Sequence, residues 1–245
     1  MTARPRFSVI IPAYNEERLL PRTIASIRES FAAVGESSFE IVVCDNNSTD
    51  RTGRVAEESG AKVVFEPHNQ ISRARNAAAE RSEGEWLLFV DADTSLNADL
   101  LAATLKRIAA GGLCGGGSTL RFDRTDFGAI PTALIWLWNK ISVTLNLAAG
   151  SYLFCLRYAW EEVGGFDERV YAGEELYFSR RLKLWGRARQ LRFKILQDAP
   201  IVTSARKMDW YGQWELLRHI ILLSRPGAHK RQESCGLWYV RPPEK

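Results

Sequence analysis

The chain has 245 residues, of which 46% are hydrophobic and 25% are charged, and its 33 Lys and Arg against 29 Asp and Glu leave a net charge of +4. This balance is typical of a folded globular domain and excludes intrinsic disorder and collagen-like repeats. The small positive charge comes without a dense run of Lys or Arg, so no nucleic-acid partner is expected. We expect a single domain, because no Ser- or Pro-rich linker interrupts the chain.

The spacing of the cysteines and the first residues of the chain bear on the cellular compartment. Cysteines stand at positions 44, 114, 155 and 235, and no two of them form a C-x-x-C pair, so neither a zinc ribbon nor a thioredoxin-type motif is expected. The apolar run that begins at Phe7 is too short for a signal peptide. We therefore expect a reducing, cytoplasmic location.

The first part of the chain alternates between two hydrophobic periods. Continuous apolar runs predict buried strands at Phe7–Ile11 (ended by Pro12), Phe39–Cys44, Ala61–Phe65 and Trp86–Val90. Between them, helical spacing predicts a helix capped by Asn15 that buries Leu20, Ile24, Ile27, Phe31 and Val34, a helix capped by Thr49-Asp50 that ends near Gly60, and a helix over Ser72–Arg81. Apolar strands that alternate with helices indicate a mostly parallel sheet covered by helices on both faces.

The second part of the chain is less regular and predicts a decorated C-terminal half. A short strand is expected near Ser118–Phe122, with glycines at 111, 112 and 115–117 around it. The apolar stretch Phe127–Leu156 is interrupted too often for a membrane span, and a buried core helix is the favoured interpretation. A membrane-surface segment or an acceptor pocket is its alternative. Further helices are predicted around Leu101, Leu105 and Ile108, over Gly173–Trp185 and over Trp210–Leu223.

Polar side chains follow three predicted strands at the edge where open α/β sheets bind ligands. They belong to the segments Pro12–Glu16, Asp45–Asp50 and Asp91-Ala92-Asp93. Asp91 and Asp93 are two residues apart in an extended segment, so their carboxylates point to one side, and Mg²⁺ and Mn²⁺ favour such oxygen ligands. Ala92 leaves room for a ligand beside the backbone. A polar turn that ends the strand is the alternative.

Other charged residues have two interpretations each. Arg73 and Arg75 carry planar guanidinium groups that bind phosphate, or they lie on a solvated helix face. Glu174 and Glu175 follow Gly173 at a predicted helix start, where acids complement the helix dipole or where a carboxylate can act as a general base. The sequence contains neither a P-loop nor a G-x-G-x-x-G motif after the first strand.

The order of these motifs resembles that of the family 2 glycosyltransferases of the GT-A fold. The matching segments are Val9–Glu17, Asp45–Asp50, Ala74–Asn76, Asp91–Asp93 as the D-x-D motif, Gly164–Glu168 and Gly173–Glu175. The resemblance implies a Rossmann-like α/β fold with a nucleotide-binding half over 7–94, a sugar and acceptor half over 95–206, and a C-terminal helix and tail over 207–245.

The resemblance also implies a role for each matching residue. Pro12, Ala13, Tyr14 and Glu16 would wall the nucleotide pocket, Asp45 would hydrogen-bond the base, Arg75 would lie near the phosphates, and Asp91 would face the ribose with Ala92 beside it. Asp93 would hold Mn²⁺ or Mg²⁺ on the diphosphate, Glu175 would be the catalytic base next to Glu174, and Gly164–Asp167 would line the sugar and acceptor side. The implied reaction is a metal-dependent, inverting transfer of one sugar from a UDP- or GDP-sugar to an acceptor hydroxyl.

Departures from the family pattern keep alternatives open. Asn46 and Asn47 replace the usual Asp and Gly, and Glu175 replaces the usual Asp, which leaves a non-catalytic nucleotide-sugar binder as one alternative. A sugar nucleotidyltransferase is another, although the segment after the first strand lacks the basic, glycine-rich loop that such enzymes usually carry. The Q-x-x-R-W motif of processive synthases is absent. The third metal ligand would be His219 or water, and the cations of Thr203–Lys207 either close over the diphosphate or lie exposed. Because of the Phe127–Leu156 stretch, a lipid-linked acceptor and peripheral membrane contact also belong to the expectation.

Overall fold

The computed structural model describes residues 4–126, 128–206 and 227–239, together with 210, 218, 222 and 225. The strands are β1 (Phe7–Ala13), β2 (Phe39–Asp45), β3 (Lys62–Phe65), β4 (Trp86–Val90), β5 (Thr94–Ser95), β6 (Leu113–Phe122), β7 (Tyr152–Leu156) and β8 (Arg192–Thr203). The α-helices are α1 (Leu20–Ala33), α2 (Thr52–Glu58), α3 (Ile71–Glu80), α4 (Ala98–Ala109), α5 (Ala129–Leu145), α6 (Arg157–Val163), α7 (Glu174–Arg187) and α8 (Gly236–Tyr239). Short 3₁₀ turns cover Ala228–Lys230 and Gln232–Cys235.

The strands form one mixed sheet in the order β3-β2-β1-β4-β7-β6-β8-β5. Strands β1 to β4 are parallel to their neighbours within that half, as the apolar runs predict. Strand β7 then enters antiparallel between β4 and β6, β8 lies parallel to β6, and β5 pairs antiparallel with β8. The mostly parallel sheet is therefore confirmed, and the reversal at β7 marks the start of the decorated half.

Helices cover both faces of the sheet, because alternate residues of the inner strands point to opposite sides. Val9 and Ile11 of β1 pack in one apolar layer with Ile24 of α1 and with α2 and α4. Ile10 packs in the other layer with Ala78 of α3 and with α6 and α7. All four cysteines are free and buried in these layers or, for Cys235, near the C-terminal turns.

Two element boundaries near the N-terminus differ from the prediction. Strand β1 does not end before Pro12 but continues through it, because β1 pairs with β4 only as far as Ile10 and the missing N–H of Pro12 disrupts no hydrogen bond there. Asn15 is not a helix cap, since α1 begins at Leu20. Asn15 adopts a left-handed φ of 52°, and its side-chain oxygen accepts the backbone N–H of Thr49 at 2.8 Å.

The glycines at 115–117 lie inside β6 rather than around a shorter strand, so the expected strand at Ser118–Phe122 is wrong in extent. A Cβ atom on Gly115 would lie 2.5 Å from the carbonyl oxygen of Phe154, and one on Gly117 would lie 2.7 Å from Cβ of Ala148. The glycine run therefore marks close packing of β6 against β7 and the segment before it, which composition alone reads as a loop.

The predicted core helix at Phe127–Leu156 is wrong. The stretch contains α5, a loop and β7, and α5 lies at the surface with Trp136 60% exposed and Leu145 51% exposed. The packing leaves only one face of α5 against β6 and β8. Among the described residues, no helix combines the length and the apolar character that a membrane crossing requires. The helix predicted over 210–223 lies mostly outside the described residues.

Candidate active site

A cavity of about 520 Å³ opens at the carboxyl ends of β1 and β4. Its lining includes residues at the ends of these strands and just after them, together with Arg75 of α3, the start of α7 and Arg206 after β8: Pro12, Ala13, Tyr14, Glu16, Arg75, Asp91, Ala92, Asp93, Glu174, Glu175 and Arg206. The structure thus brings together every predicted site residue except Asp45, and it adds Arg206 to the set. Strands β1 and β4 are adjacent in the sheet, which is why segments separated by about eighty residues meet here.

The guanidinium of Arg75 lies at the centre of a buried charge network. It donates to Glu174 at 2.7 Å, to Asp91 at 2.9 Å and to the carbonyl oxygen of Gly150 at 3.1 Å. Its face lies 5.2 Å from the ring centre of Phe166. Burial alone would lower the pKa of Arg75, but the carboxylates of Asp91 and Glu174 reverse this effect and hold the pKa above its ordinary value.

The network is fixed by α3, whose short residues let Arg75 reach across the sheet edge. The side chains of Arg75 and Glu174 are only 3% and 6% exposed, whereas that of Asp91 is 33% exposed. Burial raises the pKa of Glu174, and the charge of Arg75 opposes that rise. Arg75 is therefore not a solvated surface cation, and it positions the carboxylates on both sides of the cavity.

A second charge cluster surrounds Asp93. Arg206, which follows β8, pairs with both carboxylate oxygens of Glu16 at 2.6 and 3.0 Å and lies 3.4 Å from Asp93. The guanidinium of Arg206 also lies 4.9 Å from the ring centre of Trp210. Two carboxylates from distant parts of the chain therefore share one cationic group at the cavity wall. Of the cations in Thr203–Lys207, Arg206 therefore lies at the cavity, as one of the two interpretations of this segment predicts.

Glu175 is the second residue of α7, after Glu174, and the helix begins directly after Gly173, which has a left-handed φ of 72°. This turn directs the first residues of α7 toward the cavity, which Glu175 lines. Burial raises the pKa of Glu175 to about 8, with the charge of Glu174 adding to the effect. A carboxyl group with a pKa near neutrality is suited to exchange a proton with a bound hydroxyl.

Two predicted site segments lie outside the cavity lining. Asp45 ends β2, and its carboxylate accepts the backbone N–H of Ser48 at 3.0 Å. The loop Gly164–Asp167 packs beneath the site instead of lining its sugar side, because Asn76 accepts the N–H of Phe166 at 2.8 Å and donates to its carbonyl at 3.0 Å. That loop supports Arg75 through the ring of Phe166. His219, the suggested metal ligand, lies outside the described residues.

The remainder of the cavity is apolar, which the motifs did not indicate. Side chains of β6, α5 and α8 form this wall, namely Leu120, Phe122, Pro131, Leu134, Ile135, Trp138 and Tyr239. Asn46 and Asn69 also line the cavity. Periodicity could have separated the two faces of α5, but nothing in the local sequence indicates which face meets the site. The sequence indicates Arg206 only as one of the cations of Thr203–Lys207, and it gives no sign of the partner Glu16, which is 190 residues away.

Solved structures share this fold. A mannosyltransferase, PcManGT from Pyrobaculum calidifontis, determined with GDP-Man and Mn²⁺, superposes with a TM-score of 0.67 at 21% identity, over 98% of this chain and 71% of that one. TarS from Staphylococcus aureus, determined with UDP-GlcNAc, superposes with a TM-score of 0.63 at 20% identity, over 95% of this chain and 70% of that one. The architecture is therefore the GT-A type of α/β fold.

The sequence comparisons show the family. The model of glycosyl transferase family 2 matches residues 8–153, and the chain belongs to this family. It is 27% identical over 187 residues to the glycosyltransferase AglE of Haloferax volcanii, covering 72% of this chain and 61% of the relative. It is 34% identical over 112 residues to the poly(ribitol-phosphate) beta-N-acetylglucosaminyltransferase TarS of Staphylococcus aureus, covering 43% of this chain and 18% of the relative. The chain thus spans less than two thirds of the length of these relatives.

Proposed function

We propose that this chain transfers one sugar from a nucleoside diphosphate sugar to an acceptor hydroxyl, with inversion at the anomeric carbon. One observation carries the proposal: a single cavity at the carboxyl edge of the sheet is lined by the Asp91–Asp93 pair and by Glu175. The names of the relatives and the donors bound to the structural neighbours support it, since these include UDP-GlcNAc and GDP-Man.

The donor set around Asp93 fits a divalent cation. Asp93 and Glu16 place carboxylate oxygens about one cationic group, and hard cations such as Mn²⁺ and Mg²⁺ prefer these ligands. Among the described residues no group of three or more His, Cys, Asp or Glu side chains is arranged around one point. Asp93 would therefore hold the cation together with phosphate oxygens of the donor and water. When bound, the cation neutralises the charge that develops on the diphosphate leaving group.

The residues of the chain divide the remaining work. Glu175 takes the proton of the acceptor hydroxyl while the oxygen forms a bond to the anomeric carbon and the bond from that carbon to the diphosphate oxygen breaks. Arg75 holds Asp91 and Glu174 in place, so that neither carboxylate competes for the acceptor proton. Arg206 is adjacent to Asp93 and can exchange Glu16 for a phosphate oxygen, since guanidinium groups bind both anions with two hydrogen bonds.

The nucleotide is assigned to the parallel half of the sheet, over residues 7–94, and the sugar and acceptor to residues 95–206. Tyr14 and Pro12 line the cavity at the carboxyl end of β1, where the nucleoside would lie. Asp45 would reach the base from the end of β2, after releasing the N–H of Ser48. Transfer of a single sugar, rather than extrusion of a polymer, agrees with the absence of the Q-x-x-R-W motif in the sequence.

A thermal-shift panel tests donor binding directly. The purified chain is melted with UDP, GDP, CDP or TDP, each with Mn²⁺, Mg²⁺ or EDTA. A nucleotide at about 100 times its dissociation constant adds about 2.7 kcal/mol to the folded state, which raises Tm by roughly 5–10 °C for a chain of this size. We expect this shift for one nucleotide with metal, its loss with EDTA, and its loss in Asp93→Asn.

Asp126→Asn is the matched control, because Asp126 is an exposed carboxylate paired with Arg124. Glu175→Gln should keep the nucleotide shift and lose turnover of the corresponding sugar nucleotide, which separates catalysis from binding. A shift that persists in EDTA and in Asp93→Asn would contradict the metal site. The absence of any shift would contradict the donor site as a whole, and full turnover by Glu175→Gln would remove Glu175 from the role of base.

A further inference from the structure

Helix α5 has apolar side chains both at positions that line the cavity and at adjacent positions that are exposed. One face lines the cavity with Pro131, Leu134, Ile135 and Trp138. The other face is exposed to solvent, with Trp136 60%, Leu137 48%, Ile141 38% and Leu145 51% exposed. A helix that is apolar all round is normally buried in a core or in a membrane. This one is neither buried nor, at 17 residues, long enough to span a bilayer.

The rotation of α5 about its axis is fixed, so its outer face does not turn inward. Asn139 donates to the carbonyl oxygen of Leu120 at 2.9 Å and accepts the N–H of the same residue at 3.0 Å. This amide thereby takes a place in the hydrogen-bonding pattern of β6. Leu137, Ile141 and Leu145 follow each other at intervals of four and form a stripe along the side of α5 away from β6.

The charges around this stripe are positive. Between residues 127 and 156 the sequence contains no Asp or Glu, and the charge of α5 is that of Lys140, whose Nζ lies 4.4 Å from the ring centre of Trp136. At the end of α5, Lys183 donates to the carbonyl oxygen of Leu145. Burial lowers the pKa of Lys183, and the nearby charges of Arg187 and Arg180 add to this effect. Leu184, beside Lys183, is 65% exposed.

A Trp and a row of aliphatic side chains bordered by Lys and Arg is the composition of a helix that lies in the interface of an anionic bilayer. The side of the same helix that lines the cavity then lies within one helix diameter, about 10 Å, of the lipid surface. It forms an apolar wall of the cavity that Glu175 also lines. A lipid that extends from the bilayer into the cavity would contact this apolar wall with its hydrocarbon chain and place its polar head group near the carboxylate of Glu175.

We propose that the outer face of α5 docks on an anionic lipid membrane and that its inner face binds the hydrocarbon chain of a lipid acceptor. The acceptor half of this inference rests on the proposed glycosyltransferase function and names the chemical class of its second substrate. Trp138 and Ile135 contact the hydrocarbon chain, and the acceptor hydroxyl lies toward Glu175.

The membrane face is tested by sedimentation of the purified chain with phosphatidylglycerol/phosphatidylcholine vesicles and with vesicles of phosphatidylcholine alone. We expect binding to the anionic vesicles and a loss of at least about tenfold in the variant Trp136→Gln/Leu137→Gln/Ile141→Gln, because these side chains supply the buried apolar area. Phe65→Gln is the matched control, since Phe65 is 61% exposed on the opposite edge strand β3 and should leave binding unchanged. Absence of binding to anionic vesicles, or equal binding by the triple variant, would overturn the proposal.

The cavity wall is tested with a brominated long-chain alcohol, whose bromine quenches nearby tryptophan fluorescence. We expect saturable quenching that is reduced in Trp138→Phe and at least tenfold weaker in Ile135→Asn, while 2-bromoethanol at the same concentration gives no saturable quenching. Equal quenching in wild type, Trp138→Phe and Ile135→Asn would refute the acceptor site. The metal-dependent nucleotide shift is measured on the same samples. If the shift is present while vesicles and alcohol fail to bind, this inference alone is wrong, whereas a missing shift in a chain that binds vesicles overturns the proposed function.

Discussion

Replacing Arg75 by Met should destabilise the protein more than any surface charge change. Arg75 and Glu174 have side chains that are 3% and 6% exposed, and their closest atoms are 2.7 Å apart. Removing the cation leaves the carboxylate of Glu174 buried without its partner, which costs about 3–5 kcal/mol in the free energy of unfolding. For a chain of this length the cost corresponds to a decrease in Tm of roughly 10 °C.

The double variant Arg75→Met/Glu174→Gln distinguishes a stranded charge from lost packing. Once the carboxylate is neutral, little of the desolvation cost remains, so the double variant should recover about 2 kcal/mol relative to Arg75→Met. Arg54→Met is the control, because Arg54 and Glu58 form an exposed pair with side chains 72% and 60% exposed, whose loss should leave the free energy of unfolding nearly unchanged.

Urea unfolding of the four proteins, followed by tryptophan fluorescence, gives the required free energies. The reasoning fails if Arg75→Met costs less than about 1 kcal/mol, since a buried carboxylate would then tolerate the loss of its cation. It also fails if the double variant is as unstable as the single one, because the loss would then come from packing of the Arg75 side chain on Phe166 and not from charge.

Two further predictions follow from burial. Because Glu175 has a pKa raised from 4.5 to about 8 in the folded chain, the folded state holds a proton that the unfolded state has lost between these values. Its contribution to the free energy of unfolding should therefore fall as pH rises from 4.5 to 8, and urea unfolding at pH 6 and pH 8.5 should show a smaller decrease for Glu175→Gln than for wild type. Gly116→Ala should cost at least about 2 kcal/mol, because its Cβ would overlap the Lys194 carbonyl oxygen and lie 2.7 Å from Phe154. Gly35→Ala is the control: its Cβ would enter open space and only the φ of 69° is unfavourable, so it should cost roughly 1 kcal/mol in the free energy of unfolding. Equal losses in the two variants would show that β6 can move away from its neighbours to accommodate a Cβ at Gly116.

The sequence predicted the elements in which one local signal dominates. Strand β4 was predicted with its observed bounds, Trp86–Val90, because five consecutive apolar residues are buried on both faces of a parallel sheet. The start of α7 at Glu174 was also close, since Gly173 adopts the left-handed turn that precedes it. In each case the residues that decide the structure lie within a few positions of one another.

Features decided by distant residues were not predictable in this way. Asn15 is a residue type that often caps helices, but its side chain accepts a hydrogen bond from Thr49 in a separate loop, and α1 begins only at Leu20. Arg206 pairs with Glu16, which is 190 residues away in the sequence, and hydrophobic periodicity gives no information about contacts at that separation. The surface location of α5 is only the alternative interpretation of its sequence, because hydropathy measures how apolar a segment is, not which of its sides meets the rest of the chain.

Because β5 pairs with β8, the segment that carries Asp93 can be completed only after the ribosome has synthesised β8. Thr94 pairs with Thr203 across 109 residues, and the backbone N–H of Ser204 binds the carbonyl oxygen of Asp93 at 3.1 Å. A ribosome adding about 5–20 residues per second needs roughly 5–20 s to pass from one strand to the other. The parallel half of the sheet can form on the nascent chain during that interval, but the backbone at Asp93 has no strand to hold it. The nascent protein therefore acquires its parallel sheet first and a positioned acidic pair only when β8 has left the ribosome.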